Sequence, residues 1–416
     1  LLAQVNEIRL NWSGEARPFA DNISLSVDSH TEKADLSKVI RFTGPLGLDR
    51  NEGLYNARLK HVLTLFEAGG LEGHTQGVIE AKGADYQRKD VFSLALERAK
   101  GDLDVRYALQ ASGDLALQGK LSLGLGPGQV SIANQTQVGV ASGRIELGGL
   151  DTAYGKDGSL RVALRPELDL DQVAFSGPIE ISVDRLLDLL ALLQSISAGA
   201  EVSTADTGLG DFAGGAVAVP ASEVEVGRLQ SRGGSLSLQS TNGKLDFALK
   251  THTELFDIEV GVNERLMKIA QLQSELEHLS LVSGQGQLTI DMAGGNSLAA
   301  GTATGPNGEL KIDSFESKLS QFALQVQTGA IALQMAGQNQ ARGFSGLVYA
   351  KESLPEVQLQ LGAASSTLSQ ASLDMQGETV HWQAAGDATA EALTVEFAKG
   401  KETRMKFEHA EFLGLQ

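Results

Sequence analysis

The stretch "SGDLALQGKLSLGLG", Ser112–Gly126, decides how this chain is read. Leu115, Leu117, Leu121, Leu123 and Leu125 fall on odd positions, while Asp114, Gln118, Lys120 and Ser122 fall on even ones. A period of two is the signature of a β-strand with one apolar and one hydrated face. The preceding stretch "GDLDVRYALQ" repeats it with Leu103, Val105, Tyr107 and Leu109, and "GSLRVALR" does so with Leu160, Val162 and Leu164. Later come Leu245, Phe247 and Leu249, then Leu288, Ile290 and Met292, then Phe322, Leu324 and Val326, and then Ile331, Leu333 and Met335. Val357, Leu359 and Leu361 follow, as do Leu393, Val395 and Phe397.

Between these runs lie turn signals such as "GKDG", "TNG" and "GPNG", whose shortness predicts antiparallel neighbours in a meander. "GLGPGQ", Gly124–Gln129, reads as a hairpin turn rather than a phosphate-cradling loop, because no lysine or helix start follows it.

Composition agrees with a sheet protein. The 416 residues include 48 glycines but 8 prolines, and are 42% hydrophobic but only 5% aromatic, so an apolar core must be built from Leu, Val, Ile and Ala. The net charge of −18 opposes binding to phosphate backbones and excludes nucleic acid as the expected partner. There is no cysteine, which excludes a disulfide framework and a thiolate metal site and points weakly to an oxidising compartment. No run of apolar residues is long enough for a membrane-spanning helix. The chain opens "LLAQVNEIRLNW", already inside a strand pattern, and reads as a fragment or a processed product.

Helix expectations are few. "VDRLLDLLALLQSIS", Val183–Ser197, reads as a leucine-rich helix packed on a sheet. "NERLMKIAQLQSELEHL" reads as a second helix over Glu264–His278, because Leu266, Ile269, Leu272, Leu276 and Leu279 step by three and four and Asn263 can cap it. Leu54–Gly70 stays ambiguous between helix and strand. The expected division is a first meander over 1–198, an Ala/Gly/Ser/Thr-rich connection over 199–222, and a second meander over 223–416.

Catalytic chemistry is not indicated. No two of the seven histidines, His30, His61, His74, His252, His278, His381 and His409, lie within five residues of each other. Glu167, Asp169 and Asp171 alternate with Leu168 and Leu170, as on the wet face of a strand, and lack the glycine and distal Glu of a calcium loop. The sequons at Asn11, Asn22 and Asn134 are no more than chance supplies. No cofactor is expected and the chain reads as a non-enzyme.

About twenty one-sided strands cannot leave their apolar faces wet at a cost of about 25 cal/mol per Å². Either sheet packs on sheet, or one curved sheet forms an apolar trough that acyl chains fill. "GDLALQGKLSLGLGPGQVSI", "SGRIELGGLDTAYG" and "GKLDFALKTHTELFDIEV" resemble the repeats of the AsmA-like superfamily, the bridge-like lipid-transfer proteins that include TamB-like and YdbH-like members.

The resemblance implies a mostly β fold, a long antiparallel meander curved into an elongated groove (a β-taco) with two or three short helices. It implies a place in the bacterial periplasm, as a segment of a membrane-anchored protein. It also implies phospholipid or another apolar ligand, with envelope membrane proteins as partners, and movement of lipid between inner and outer membranes. Candidate lining residues are Leu103, Val105, Tyr107, Leu115, Leu117, Leu121, Leu123, Leu125, Leu160, Val162, Leu164, Leu245, Phe247, Leu249, Phe322, Leu324 and Val326. The alternatives are a secreted β-helical adhesin or structural surface protein and, last, a carbohydrate-active sandwich enzyme, which the two tryptophans, Trp12 and Trp382, do little to support.

Overall fold

The computed structural model describes residues 2–5, 8–17, 22–35, 50–88, 92–132, 136–182, 216–262, 265–284, 286–349, 356–377, 379–398 and 403–415. Nearly all of them are strand, and no helix occurs among them. The first ten strands are β1 (Leu2–Val5), β2 (Ile8–Arg17), β3 (Asn22–Asp35), β4 (Arg50–Phe66), β5 (Gly70–Arg88), β6 (Phe92–Gln110), β7 (Leu115–Leu125), β8 (Gly128–Ile132), β9 (Thr136–Tyr154) and β10 (Leu160–Ser182). The next nine are β11 (Ala216–Thr241), β12 (Lys244–Val262), β13 (Arg265–Gly284), β14 (Gln287–Gly305), β15 (Gly308–Gln327), β16 (Ala330–Val348), β17 (Glu356–Gln376), β18 (Thr379–Ala398) and β19 (Thr403–Leu415).

The fold is therefore an all-β antiparallel meander. The chain forms two compact units, one holding β1–β10 with Gln230–Gly243 of β11, the other holding β12–β19 with Pro220–Leu229. In the first unit each strand from β1 to β6 pairs with the next, and β9 pairs with β10. In the second, the ladder runs from β12 to β19 without a crossover. All these pairings are antiparallel, which leaves no parallel coil of a β-helix in them.

Two expectations need correction. Arg265–His278 is not helical but lies in β13. The cause is one register shift and one unpaired position. Along β13 the residues on one face are Met267 and Ile269, then Leu272, Ser274 and Leu276, then Leu279, Leu281 and Ser283. A β-bulge after Leu276 flips the phase, and Ala270, unpaired in both ladders and level with the left-handed Asp257 and Ala300, interrupts it again. The steps from Ile269 to Leu272 and from Leu276 to Leu279 are therefore three instead of two, and they imitate a helical period.

The second correction concerns Gly124–Gln129. β7 and β8 do not form a hairpin; both pair with β6 on one side and with β9 on the other, so they are two halves of one broken strand. Pro127 has no N–H for the ladder. Its carbonyl still accepts from Glu97 N at 2.9 Å, and Gly126 N donates to Arg98 O at 2.7 Å. The ambiguous Leu54–Gly70 is strand β4 running into β5. The helix expected at Val183–Ser197 lies outside the described residues, as does the connection as far as residue 215.

Bulges in the second unit are aligned. The register slips between Leu276 and His278, Met292 and Gly294, Leu319 and Gln321, Met335 and Gly337, and Leu368 and Gln370, on five successive strands. Beside this line runs a row in which Leu276, Leu319 and Leu368 alternate with Gly294, Gly337 and Gly386. At Gly337 a Cβ would stand 2.7 Å from the Lys318 carbonyl oxygen, so the close approach of backbones requires glycine there. A second line passes through Asp257 (φ 52°), Ala300 (φ 51°), Gly343 (φ 63°) and Ala392 (φ 55°), one on every other strand from β12 to β18. These are left-handed residues inside strands, where they raise local twist in step across the sheet.

Candidate functional site

Residues directly opposite each other in a ladder project to the same face, so the register gives the composition of each face. In the second unit one row reads Phe247, Leu281, Ile290, Leu324, Leu333, Leu373 and Trp382. The adjacent row reads Leu249, Leu279, Met292, Phe322, Met335, Ala371 and Ala384. The next reads Leu245, Ser283, Leu288, Val326, Ile331, Met375 and Val380. The candidates Leu245, Phe247, Leu249, Phe322, Leu324 and Val326 thus fall on three contiguous rows of one face. At the far ends of these strands Val260, Met267, Ala303, Leu310, Gly346, Leu359, Val395 and Met405 make another apolar row on that face.

Burial along this face is graded. Leu245 and Leu288 are buried at 1% and 8% exposure, while Val380 and Trp382 on the same or the next row are 53% and 74% exposed. Only twelve apolar residues are fully buried among the described residues, and five of them are alanines. A sealed globular core would bury its leucines and phenylalanines. Here most of them are half-buried.

The first unit gathers its candidates in the same way. Leu103 pairs with Leu121, which pairs with Leu147; Tyr107 pairs with Leu117, and Val162 joins that row through Thr152. Leu115 and Leu160 both face Tyr154, Leu123 and Leu125 face Ile145 and Gly143, and Val105 faces Gly119. Leu164 is skipped by the ladder, opposite the irregularity at Gly149–Leu150. Tyr107 is less available than its neighbours, because its ring lies over Gly73 and fills the space a Cβ would need. Leu109, Leu115 and Tyr154 sit at the strand ends and are 43–44% exposed.

This apolar face carries one polar cluster. His61 Nε2 is 2.9 Å from Ser29 Oγ, and His61 Nδ1 is 3.0 Å from Thr75 Oγ1. No carboxylate completes a relay in these contacts, and an imidazole held between two hydroxyls is satisfied rather than poised.

The opposite face is charged. A cleft of about 1000 Å³ crosses β3–β9, lined by Asp28, His30, Arg58, Lys60, Asp102, Asp104, Lys120 and Glu146 among others. Asp28 pairs with Lys60 and Asp104 with Lys120 across the ladder. His74 Nε2 lies 2.8 Å from Asp104 Oδ1, and this hydrogen bond holds the Asp104 carboxyl below its usual range. Leu103 and Leu121 line this cleft too, but their ladder partners are leucines, so their side chains belong to the apolar face. With charges of both signs interleaved, the cleft presents no single-sign field to a ligand.

The second unit has a feature that the alternating pattern alone did not reveal. Midway along the strands a single row of the apolar face is polar: Thr253, Ser274, Asn296, Ser317, Asn339 and Ser366. The row on one side reads Leu255, Leu272, Leu298, Phe315, Ala341 and Ala364, and on the other Thr251, Leu276, Gly294, Leu319, Gly337 and Leu368. Its sequence signal is a polar residue between two apolar ones, as in Leu272–Ser274–Leu276 and Phe315–Ser317–Leu319. Among the described residues no cluster of His, Asp and Glu has the geometry of a metal site. Comparison with protein-family models, curated proteins and solved structures finds no match to this chain.

Proposed function

We propose that this protein is a non-enzymatic lipid carrier that holds phospholipid by its acyl chains on the apolar sheet face. In this reading it works in the bacterial periplasm, as a segment of a membrane-anchored protein of AsmA-like type, and helps to move lipid between the inner and outer membranes. The observation that carries the proposal is the pair of uninterrupted apolar rows across seven strands, from Leu249 to Ala384 and from Phe247 to Trp382. These rows are long, in register and only partly buried. Each methylene that leaves water for such a surface contributes about 0.8 kcal/mol, so an acyl chain gains substantially without any directional contact. An absence of fixed polar chemistry on these rows is also what a carrier of chemically similar chains requires, since it must let them move.

The test is extraction of the purified chain with organic solvent and mass spectrometry of the extract, together with uptake from phosphatidylethanolamine and phosphatidylglycerol vesicles. Co-purifying phospholipid and saturable uptake are expected. A lipid-free preparation that also takes up nothing from vesicles overturns the proposal.

A further inference from the structure

We infer that the polar row of Thr253, Ser274, Asn296, Ser317, Asn339 and Ser366 holds the glycerol-ester region of the bound phospholipid; this rests on the lipid-carrier reading above. The first argument is chemical. Every side chain of the row is neutral and carries a hydroxyl or amide donor, whereas ester carbonyls and phosphate-ester oxygens only accept. The charged residues at this level, Glu275, Glu277, Glu316 and Lys318, alternate with the row and so project to the opposite face, where Lys318 Nζ lies 3.5 Å from Glu277 Oε1. A ligand at the row therefore meets donors without meeting a formal charge.

The second argument is one of length. Ser274 lies close to the middle of β13, Arg265–Gly284. At about 3.3 Å per residue, roughly 30 Å of strand extends to either side. A monolayer's share of the bilayer core, half of about 30 Å, is the depth one acyl chain needs. A lipid with its esters at the row thus finds more than enough apolar strand for its tails in either direction.

The third argument is that of exchange. Ser274, Asn296 and Asn339 are exposed and hydrated when no lipid is bound. Asn339 Nδ2 donates to Ser366 Oγ at 3.2 Å, and its second N–H remains for a ligand. A pure hydrocarbon crossing the row would strip this water and return nothing, while an ester replaces it. The row therefore favours a diacyl phospholipid held at a fixed position over a chain free to sit anywhere along the strands.

The experiment uses the full chain loaded from phosphatidylethanolamine and phosphatidylglycerol vesicles doped with one of two photoreactive phospholipids. One carries a diazirine at the acyl terminus, the other beside the glycerol. Peptide mapping should place the glycerol probe within two residues of Ser274, Asn296, Ser317 or Asn339, and the acyl probe on the leucine-rich rows to either side. In the double variant Asn296→Leu, Asn339→Leu, both at exposed positions, glycerol labelling at the row should fall about fivefold or more for each lost hydrogen bond. Acyl labelling should change less than twofold.

Glycerol labelling at the turns between strands, or spread evenly along them, overturns the assignment while leaving lipid carriage intact if the acyl probe still marks the apolar rows. Unchanged glycerol labelling in the double variant overturns it as well. Labelling by neither probe removes the carrier reading and this inference with it.

Discussion

Ala300→Gly should stabilise the sheet, against the usual effect of putting glycine in a strand. Ala300 sits in β14 at φ 51°, one of the aligned left-handed positions on alternate strands. An L-residue there carries a penalty of about 1–2 kcal/mol. Glycine removes that penalty but costs about 0.5–1 kcal/mol in extra chain entropy. Ala300 is exposed, so its methyl loses no buried area on removal. The net expectation is a gain of about 0.5–1 kcal/mol.

A chain with two compact units is a poor subject for a single global unfolding free energy, so the assay is local. Native-state hydrogen exchange of peptides covering Leu298–Ala303 should slow by about two- to fivefold, at 1.4 kcal/mol per tenfold. Two variants bracket the argument. Gly233→Ala, at φ 63° with no atom within 4 Å of the added Cβ, should lose a similar amount through torsion alone. Ala303→Gly, on the same strand but outside the left-handed positions, should speed exchange. If Ala300→Gly speeds exchange as Ala303→Gly does, residue 300 is not left-handed in solution and the line of left-handed residues is wrong.

Gly337→Ala should destabilise more than Gly233→Ala, because its Cβ meets backbone at 2.7 Å rather than open space; faster exchange in both β15 and β16 checks it, and no change refutes the close approach. Leu121→Asp, between Leu103 and Leu147 on the apolar face, should keep a cooperative melt while phospholipid co-purification falls; global unfolding would instead mark this face as a dry core. With Trp12→Phe removing the other indole, Trp382 should emit as an exposed tryptophan and shift to the blue on addition of phospholipid vesicles, and an unshifted spectrum would place it off the lipid path. His74→Ala should return the Asp104 carboxyl upward to its ordinary range, followed by its ¹³C titration. Because folding lowers that pKa, the support it gives is present above the ordinary carboxylate range and is lost as pH falls through the lowered value.

What the sequence discloses and what it hides follows from how bulges act on a period. Leu115–Leu125 alternates with no residue inserted in β7, since the slip between Gly119 and Leu121 in its ladder with β9 lies on the β9 side, and its reading as a one-sided strand stands unchanged in the structure. β13 contains the same alternation cut by a bulge after Leu276 and by the unpaired Ala270, and the resulting steps of three produce an apparent helix from Leu266 to Leu279. Leu266 itself is the diagnostic residue. It belongs to the imagined helical stripe but sits one residue from Met267, which holds the apolar face, and so projects the other way. Phe322, Leu324 and Val326 were legible as a set, yet their link to Leu319 and Phe315 crosses a bulge and changes parity. The polar row was hidden for a related reason. Read in one strand, Ser274 between two leucines is noise; only the register across six strands makes it a line.

If the second unit carries lipid as proposed, two demands explain why that line is neutral rather than charged. A half-exposed apolar face as long as these strands is an aggregation liability, and any polar row across it would shorten the contiguous patches. Lysine or glutamate would do so most strongly, and both are already used on the opposite face at Glu275, Glu316 and Lys318. On the apolar face, however, a charge would sit beside whatever hydrocarbon the face accepts, and desolvating it costs far more than desolvating a hydroxyl or an amide. Serine, threonine and asparagine interrupt the patch at a cost that one acceptor oxygen per side chain can offset. On the carrier reading proposed above, the choice of residue separates a face that merely avoids aggregation from one that also admits an amphipathic ligand, and Asn296 and Asn339 would meet the second demand.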